Sequence, residues 1–253
     1  MPSSDETTEP DTMAIMEQPK YPPIEETAIK LHGDSHSCNE AIILFNAFTK
    51  ALAIETKLPE TIVHMVGMSG KKFRYLINNF VSDLPEPAYL EIGSWMGSTL
   101  CSAIFQNKVR AIAIDNWSEF NGPKEPFDFN VKRVLEVSPE VDFRFIENDF
   151  NKVNYADIGK FNIYFFDGPH QELDQYMGVK IVQPALTDTF TLIVDDWNWS
   201  QVVHGTKRAM EECQIKVLFA IEITTARINT YPLIDKENSE WHNGYFLAIC
   251  KKS

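Results

Sequence analysis

Cysteine is scarce in this chain of 253 residues. The four are Cys38, Cys101, Cys213 and Cys250, and they form no CxxC pair and have no histidine at metal-binding spacing. That excludes a disulfide framework and a structural zinc site. It predicts reduced, mostly buried thiols in a cytoplasmic protein. Positive charge is also in short supply, with 23 Lys and Arg against 36 Asp and Glu and a formal net charge of −13. Nucleic acid and anionic membrane both demand clustered basic residues, so neither is expected as a partner. No stretch approaches ~18 uninterrupted apolar residues, so no transmembrane helix is expected. The start, MPSSDETTEPDT, is acidic and has no apolar core of the kind a secretory signal needs. Internal repeats are missing. So is the GxGxxG fingerprint that cradles a pyrophosphate, which counts against a nicotinamide-dependent oxidoreductase.

What remains is a chain with 44% hydrophobic residues, enough to build a core without staples. Residues 1–36 stand apart. They hold eight acids against two lysines, together with Pro2, Pro10, Pro19, Pro22 and Pro23. Such a segment buries too little apolar surface to offset its ordering entropy, so a disordered acidic tail is expected. A flap or partner-binding arm is the alternative. Residues 37–84 read as a helical extension. Ala41, Leu44, Phe45, Phe48 and Leu52 recur at helical spacing, and Phe73, Leu76, Ile77 and Phe80 mark a second helix with Ser69 as its cap. Lys71, Lys72 and Arg74 then fall on a face expected to be solvated. Asp83-Leu-Pro-Glu-Pro87 stops the helix.

Residues 85–253 form the main domain. Short apolar runs at 88–92, 111–114, 143–146, 163–166 and 190–194 alternate with helical patterns near 97–106, 126–137, 170–184 and 200–213. Continuous apolar strands separated by helices predict a doubly wound, mostly parallel sheet. Two further strands, at 215–223 and 245–249, flank the polar stretch 226–244 and suggest one antiparallel edge strand.

Ligands of such sheets bind beyond the carboxyl ends of the strands. The first of these ends reads Glu91-Ile-Gly93-Ser94-Trp-Met-Gly97-Ser98-Thr. Its glycines permit a sharp turn and a close backbone approach, to a ligand or simply to a neighbouring element. The second ends at Asp115-Asn116-Trp117, where an acid can accept both hydroxyls of a ribose. The third ends at Asn148-Asp149, where an acid can accept from an adenine amino group. Together these fit a nucleoside with no phosphate requirement. Trp117 either flanks the base or packs. The fourth end, Phe166-Asp167-Gly-Pro-His170, and the fifth, Val194-Asp195-Asp196-Trp197, bring three carboxylates to one face. Packed carboxylates repel and raise one another's pKa. A divalent cation relieves that repulsion, and hard oxygen ligands suit Mg²⁺, Ca²⁺ or Mn²⁺. Helix capping by Asp195 or Asp196 is the alternative. His170 and His204 follow these two strands, and either can serve as a general base or fill a structural role. His242 reads as structural. Trp95, Trp117, Trp197, Trp199 and Trp241 fall at strand ends, as packing or as acceptor walls.

From about Ala88 to Lys251 the chain resembles the class I S-adenosylmethionine-dependent methyltransferases. The resemblance is carried by Glu91-Ile-Gly-Ser-Trp-Met-Gly97-Ser-Thr, Ala113-Ile-Asp115, Asn148-Asp149 and the last strand pair. It implies a Rossmann-like, seven-stranded sheet. It also implies a methionine end at the glycine turn, ribose at Asp115 and adenine near Asp149, with Glu91, Ser94, Ser98, Asn116, Trp117, Asn148 and Asp167 around the cofactor. Phe166-Asp-Gly-Pro-His170 with Val194-Asp-Asp-Trp197 is similar to the macrocin-type and cephalosporin hydroxylase-like O-methyltransferase branch. That implies Mg²⁺ or another divalent cation on Asp167, Asp195 and Asp196, and a hydroxylated small-molecule acceptor. Pro169-His170 departs from the acidic and aromatic continuation of the macrocin-type motif, which leaves the base open between His170 and His204. Metal-independent N- or S-methyl transfer and a non-catalytic cofactor-binding module are the rival readings. A homo-oligomer stays open.

Overall fold

The computed structural model describes residues 27–253. Residues 1–26, most of the expected acidic tail, lie outside the described residues. One mixed sheet of eight strands organises the fold. Its strands are β1 (Ala28–Gly33), β2 (Ala88–Ile92), β3 (Val109–Asp115), β4 (Val141–Glu147), β5 (Phe161–Phe166), β6 (Leu186–Asp195), β7 (Lys216–Thr224) and β8 (Tyr245–Lys251). The helices are α1 (Asn39–Leu52), α2 (Glu60–Val63), α3 (Lys71–Asp83), α4 (Ser98–Ile104), α5 (Lys124–Glu136), α6 (Glu172–Ile181) and α7 (Ser200–Glu212). The spatial order is β1-β7-β8-β6-β5-β2-β3-β4. Strands β2 to β6 run parallel. β8 is antiparallel to both β6 and β7.

The doubly wound, mostly parallel sheet is as expected, with two differences. The count is eight rather than seven, because β1 pairs antiparallel with β7 and forms an edge. This strand lies inside the stretch expected to be a tail. All six of its residues are exposed, so it is held by ladder hydrogen bonds to an open edge rather than by apolar burial, and its short alternation of Ile29 and Leu31 with Lys30 and His32 is easily passed over beside the acidic, proline-rich residues before it. The second difference is that β8, the last strand, sits inside the sheet between β6 and β7.

Strand side chains alternate between two apolar layers. Tyr89, Ile163 and Phe165 join the layer under α1, α3, α4 and α5, with Leu44, Phe48, Phe73, Leu76 and Phe80. Leu90, Ile92, Tyr164 and Phe166 join the layer under α6 and α7, with Tyr176, Val179, Val202 and Ala209. Burial on both faces explains the continuous apolar runs. The parallel register sets Ile92 beside Ile114 and Phe166, and Phe166 beside Val194. The carboxyl ends of five strands therefore line one rim. All four cysteines are unpaired, and Cys101 and Cys250 are buried. Among the described residues no helix is long and apolar enough to cross a membrane.

Two local expectations on α3 change. Gly70, not Ser69, is the cap residue. Arg74, expected on a solvated face, is fully buried. Its guanidinium reaches the carbonyls of Ile62, Val63 and Met65, so contacts with the end of α2 and the residues after it override the local charge pattern.

Candidate active site

The chain turns sharply after β2. Gly93 and Gly97 adopt φ of +82° and +80°, and Trp95 between them also takes a left-handed conformation. Asp115, at the end of β3, holds this turn: Oδ2 accepts from the Ser94 and Trp95 N–H groups at 2.8 and 3.0 Å. Its Oδ1 accepts from Trp117 N–H at 2.8 Å. Glu91 is buried beneath, accepting from Tyr89 Oη at 2.6 Å and Ser94 Oγ at 2.7 Å. Burial pushes its carboxyl up to about 8 despite those two donors. Ser98 opens α4 and its Oγ lies 3.2 Å from Ser69 Oγ.

The remaining nucleoside-site candidates are placed differently. Asn116 is exposed and accepts from Ser118 N–H and Oγ. The Trp117 ring packs against Phe127 and Phe145, with centroids 5.2 and 5.3 Å away, so packing is what this tryptophan does here. Asn148 is exposed, its N–H donating to the Asp115 carbonyl. Asp149 accepts from Asn151 N–H. That hydrogen bond, with Lys152 nearby, holds its carboxyl below the usual range.

The second half of the site begins one strand away. Asp167 follows β5 and donates its N–H to the Ile92 carbonyl at 2.9 Å. His170 Nε2 lies 2.7 Å from Asp196 Oδ2 and 3.9 Å from Asp167 Oδ1. Asp167, His170 and Asp196 each offer one ligand atom within 4.8 Å of the others. The side chains of Asp167 and His170 remain 24% and 40% exposed, whereas Asp196 is 5% exposed. Asp196 takes φ +58°, and its Oδ1 accepts from Asn243 Nδ2 at 2.6 Å. Asp195 is buried, accepts the Asp196 N–H on its Oδ1 and shares a side-chain hydrogen bond with Asp167, so it stands beside the group formed by Asp167, His170 and Asp196.

The charges respond as crowded carboxylates should. Burial raises Asp167 to about 6 and drives Asp195 well above the carboxylate range. Burial also pushes against ionised Asp196, but the hydrogen bond and charge of His170 prevail and its carboxyl falls below the ordinary value. Burial disfavours an imidazolium at His170; the bonds to Asp167 and Asp196 outweigh it and raise the ring to about 11. Two hard carboxylates and an imidazole, open on one side, suit a divalent cation.

The structure thus brings Glu91, Gly93, Ser94, Gly97, Ser98 and Asp115 into one unit and Asp167, His170 and Asp196 into an adjoining one. His204 is exposed on α7 and forms no hydrogen bond or ion pair with these acids. His242 is buried and accepts from Lys236 N–H on Nδ1. In the core Trp197 stacks on Phe246 and Trp241 packs at a tilt against Phe48, while Trp199 is half-buried against Tyr231. Sequence reasoning missed Asn243. The available signal was its place in Trp241-His-Asn-Gly-Tyr-Phe, immediately before a strand that pairs Tyr245 with Asp195.

Residues 90–197 match the profile of a family described as a methyltransferase domain. No curated protein matches the chain. Among solved structures, the methyltransferase PaMTH1 of Podospora anserina, bound to SAH, is similar at 12% identity and a TM-score of 0.52, covering 88% of this chain and 90% of that one. An O-methyltransferase from Bacillus cereus in complex with SAH is similar at 14% identity and a TM-score of 0.51, covering 83% and 91%. TrmN from Thermus thermophilus aligns at 12% identity and a TM-score of 0.47 over 81% of this chain and 52% of its own, so the present chain spans about half its length. The chain shares the fold of these methyltransferases, and residues 90–197 resemble a methyltransferase domain.

Proposed function

We propose that this domain transfers the methyl group of S-adenosylmethionine to a hydroxyl of a small-molecule acceptor, with a divalent cation held by Asp167 and Asp196. The observation that carries this reading is the junction of two units. The glycine turn fits a nucleoside-linked donor, and the acid cluster lies against that turn, since a Cβ on Gly93 would overlap the Asp167 carbonyl oxygen.

The cofactor, when bound, supplies a methyl group already activated on a sulfonium, so the protein's task is orientation and exclusion of water. Asp115 fixes the turn on which the donor lies and keeps its carboxylate at the ribose position. A divalent cation at the cluster would supply positive charge that lowers the pKa of an acceptor hydroxyl. Asp167 and Asp196 are the carboxylates that would hold it, and Asn243 fixes one oxygen of Asp196. His170 is the base. Its imidazolium is sustained by those same two carboxylates. With that charge engaged by a cation, the carboxylates would no longer hold the imidazolium, and Nε2 would be available to accept a proton. The segment 226–244 reaches the cluster through Asn243, and its exposed Tyr231 and Leu233 offer apolar surface for an acceptor.

Metal-independent transfer is the second reading. It is favoured by the 2.7 Å His170–Asp196 contact, which neutralises one carboxylate without a cation. Transfer of a labelled methyl group to a panel of vicinal diols, with Mg²⁺ and with EDTA, separates the two. Transfer abolished by EDTA and restored by Mg²⁺ supports the first. Transfer indifferent to EDTA supports the second.

A further inference from the structure

Helix α5 borders two surface hollows of opposite character. The first lies against β4 and carries Asp128, Glu136 and Lys132 among its apolar lining. The second is a cavity of about 690 Å³ between α5, the end of α4 and the stretch from Pro59 to Val66. Among the described residues no Asp or Glu lines it, although the chain holds 36 of them. Its ionisable lining groups are Arg133 and His64, both exposed. His64 Nε2 is engaged by Glu60 at 2.9 Å. Arg133 has no carboxylate partner among the described residues. Its guanidinium lies 5.6 Å from the Phe129 ring centroid and its N–H donors stay open.

The rest of this cavity is apolar, open and held in shape. Ile62, Phe105 and Val134 are buried at its base, while Val66 and Val137 on its rim are 56% and 51% exposed. A concave apolar surface with a few polar groups, of a few hundred Å³, is the usual form of a small-molecule site. Its wall is fixed from within. The buried Arg74 donates to the carbonyls of Ile62, Val63 and Met65 at 3.1, 3.0 and 2.7 Å. Asn130 Nδ2 donates to the Met96 carbonyl at 2.9 Å, which ties α5 to the turn before Gly97. A ligand therefore meets a surface it need not order.

We infer that this cavity binds a small organic carboxylate with an apolar body, its anionic head at Arg133 and its body on Ile62, Phe105 and Val134. Charge decides the class. A hollow free of acids on a chain of net charge −13, with one uncommitted guanidinium, repels cations and has a matched partner for a carboxylate. The guanidinium fork fits the two carboxylate oxygens together. None of Asp115, Asp167, His170 and Asp196 lines this cavity, so the inference is independent of the methyl donor, the metal and the acceptor.

The test compares decanoate with decan-1-ol, which share a chain and differ in charge, on the full chain carrying ¹³C-methyl methionine. Met65 and Met96 line the cavity, and Met177 and Met210 do not. Decanoate is expected to shift the Met65 and Met96 methyl signals saturably, at one site, and to leave the other two in place. Decan-1-ol is expected to shift the same pair with about 10-fold weaker affinity, the lower end for losing a hydrogen bond to a charged group. Arg133→Met changes an exposed side chain and keeps its apolar stem. It should lower decanoate to the affinity of the alcohol and leave the alcohol unchanged. Equal affinities in the wild type overturn the inference, as do shifts that never saturate or that reach all four methyls. So does decanoate binding undiminished in Arg133→Met, or equal loss of both ligands there. Met65 and Met96 signals that follow protein concentration instead of ligand assign the cavity to a second copy of the chain, which also overturns it.

Discussion

Gly93 lies back to back with Asp167: a side chain on the glycine would collide with the Asp167 carbonyl oxygen, and Asp167 N–H is bonded to the Ile92 carbonyl at 2.9 Å. The glycine turn and the residue that opens the acid cluster are thereby fixed to each other by backbone alone. Gly93 has two reasons to be glycine, its φ of +82° and this approach.

Gly93→Ala is therefore expected to act on both halves of the site. The left-handed backbone alone costs about 1–2 kcal/mol for a residue with a Cβ, and the overlap adds to it. Denaturant unfolding should show at least that loss, and S-adenosylhomocysteine binding should weaken in parallel. Unchanged stability would mean that the contact is not as close as described.

The two histidines behave differently in this account. His170→Ala should lower turnover by about 10²- to 10⁴-fold, the usual contribution of a positioned base, while His204→Ala should leave it unchanged. Steady-state rates on any productive acceptor distinguish them. A loss confined to His204→Ala would relocate the base to α7.

Glu91 links stability to pH. Its carboxyl is raised by burial to about 8 from an ordinary 4.5. Between those values the folded chain holds a proton that the unfolded chain has released, so this group's contribution falls as pH rises through the window. The slope is at most about 1.4 kcal/mol per pH unit. Glu91→Gln lacks the titration. The stability of the wild type relative to Glu91→Gln, from urea unfolding at pH 5 to 9, should decline up to about pH 8 and then level. A difference that stays constant or rises would show that Glu91 is ionised in the folded protein at neutral pH.

The parallel sheet was legible because strands buried on both faces must be continuously apolar, as Leu90, Ile112, Tyr164 and Leu192 are. The acids that follow those strands were legible for the same reason: a carboxylate ending a buried run has few places to go except the rim. Strand β1 was not, because Ala28–Gly33 gains its place chiefly from hydrogen bonds to β7 and its six residues stay exposed, leaving only a short alternation of Ile29 and Leu31 in the sequence. Arg74 was misread because Lys71 and Lys72 beside it stay partly solvated, and nothing local distinguishes a buried arginine from its neighbours. Which of His170 and His204 meets the acid cluster depended on which loop folds back over the rim. That is decided by contacts between elements, here the reach from the end of β5 to Asp196.

The central claim is that a donor site and a divalent-cation site stand side by side and are separable. Titration of Mg²⁺ into the chain saturated with S-adenosylhomocysteine, followed by calorimetry, tests it most directly. The account predicts a one-site isotherm in the wild type that disappears in Asp167→Asn and in Asp196→Asn, while both variants still bind S-adenosylhomocysteine as the wild type does. A wild type that binds S-adenosylhomocysteine and takes up no Mg²⁺, or variants that lose S-adenosylhomocysteine together with the metal, would contradict it.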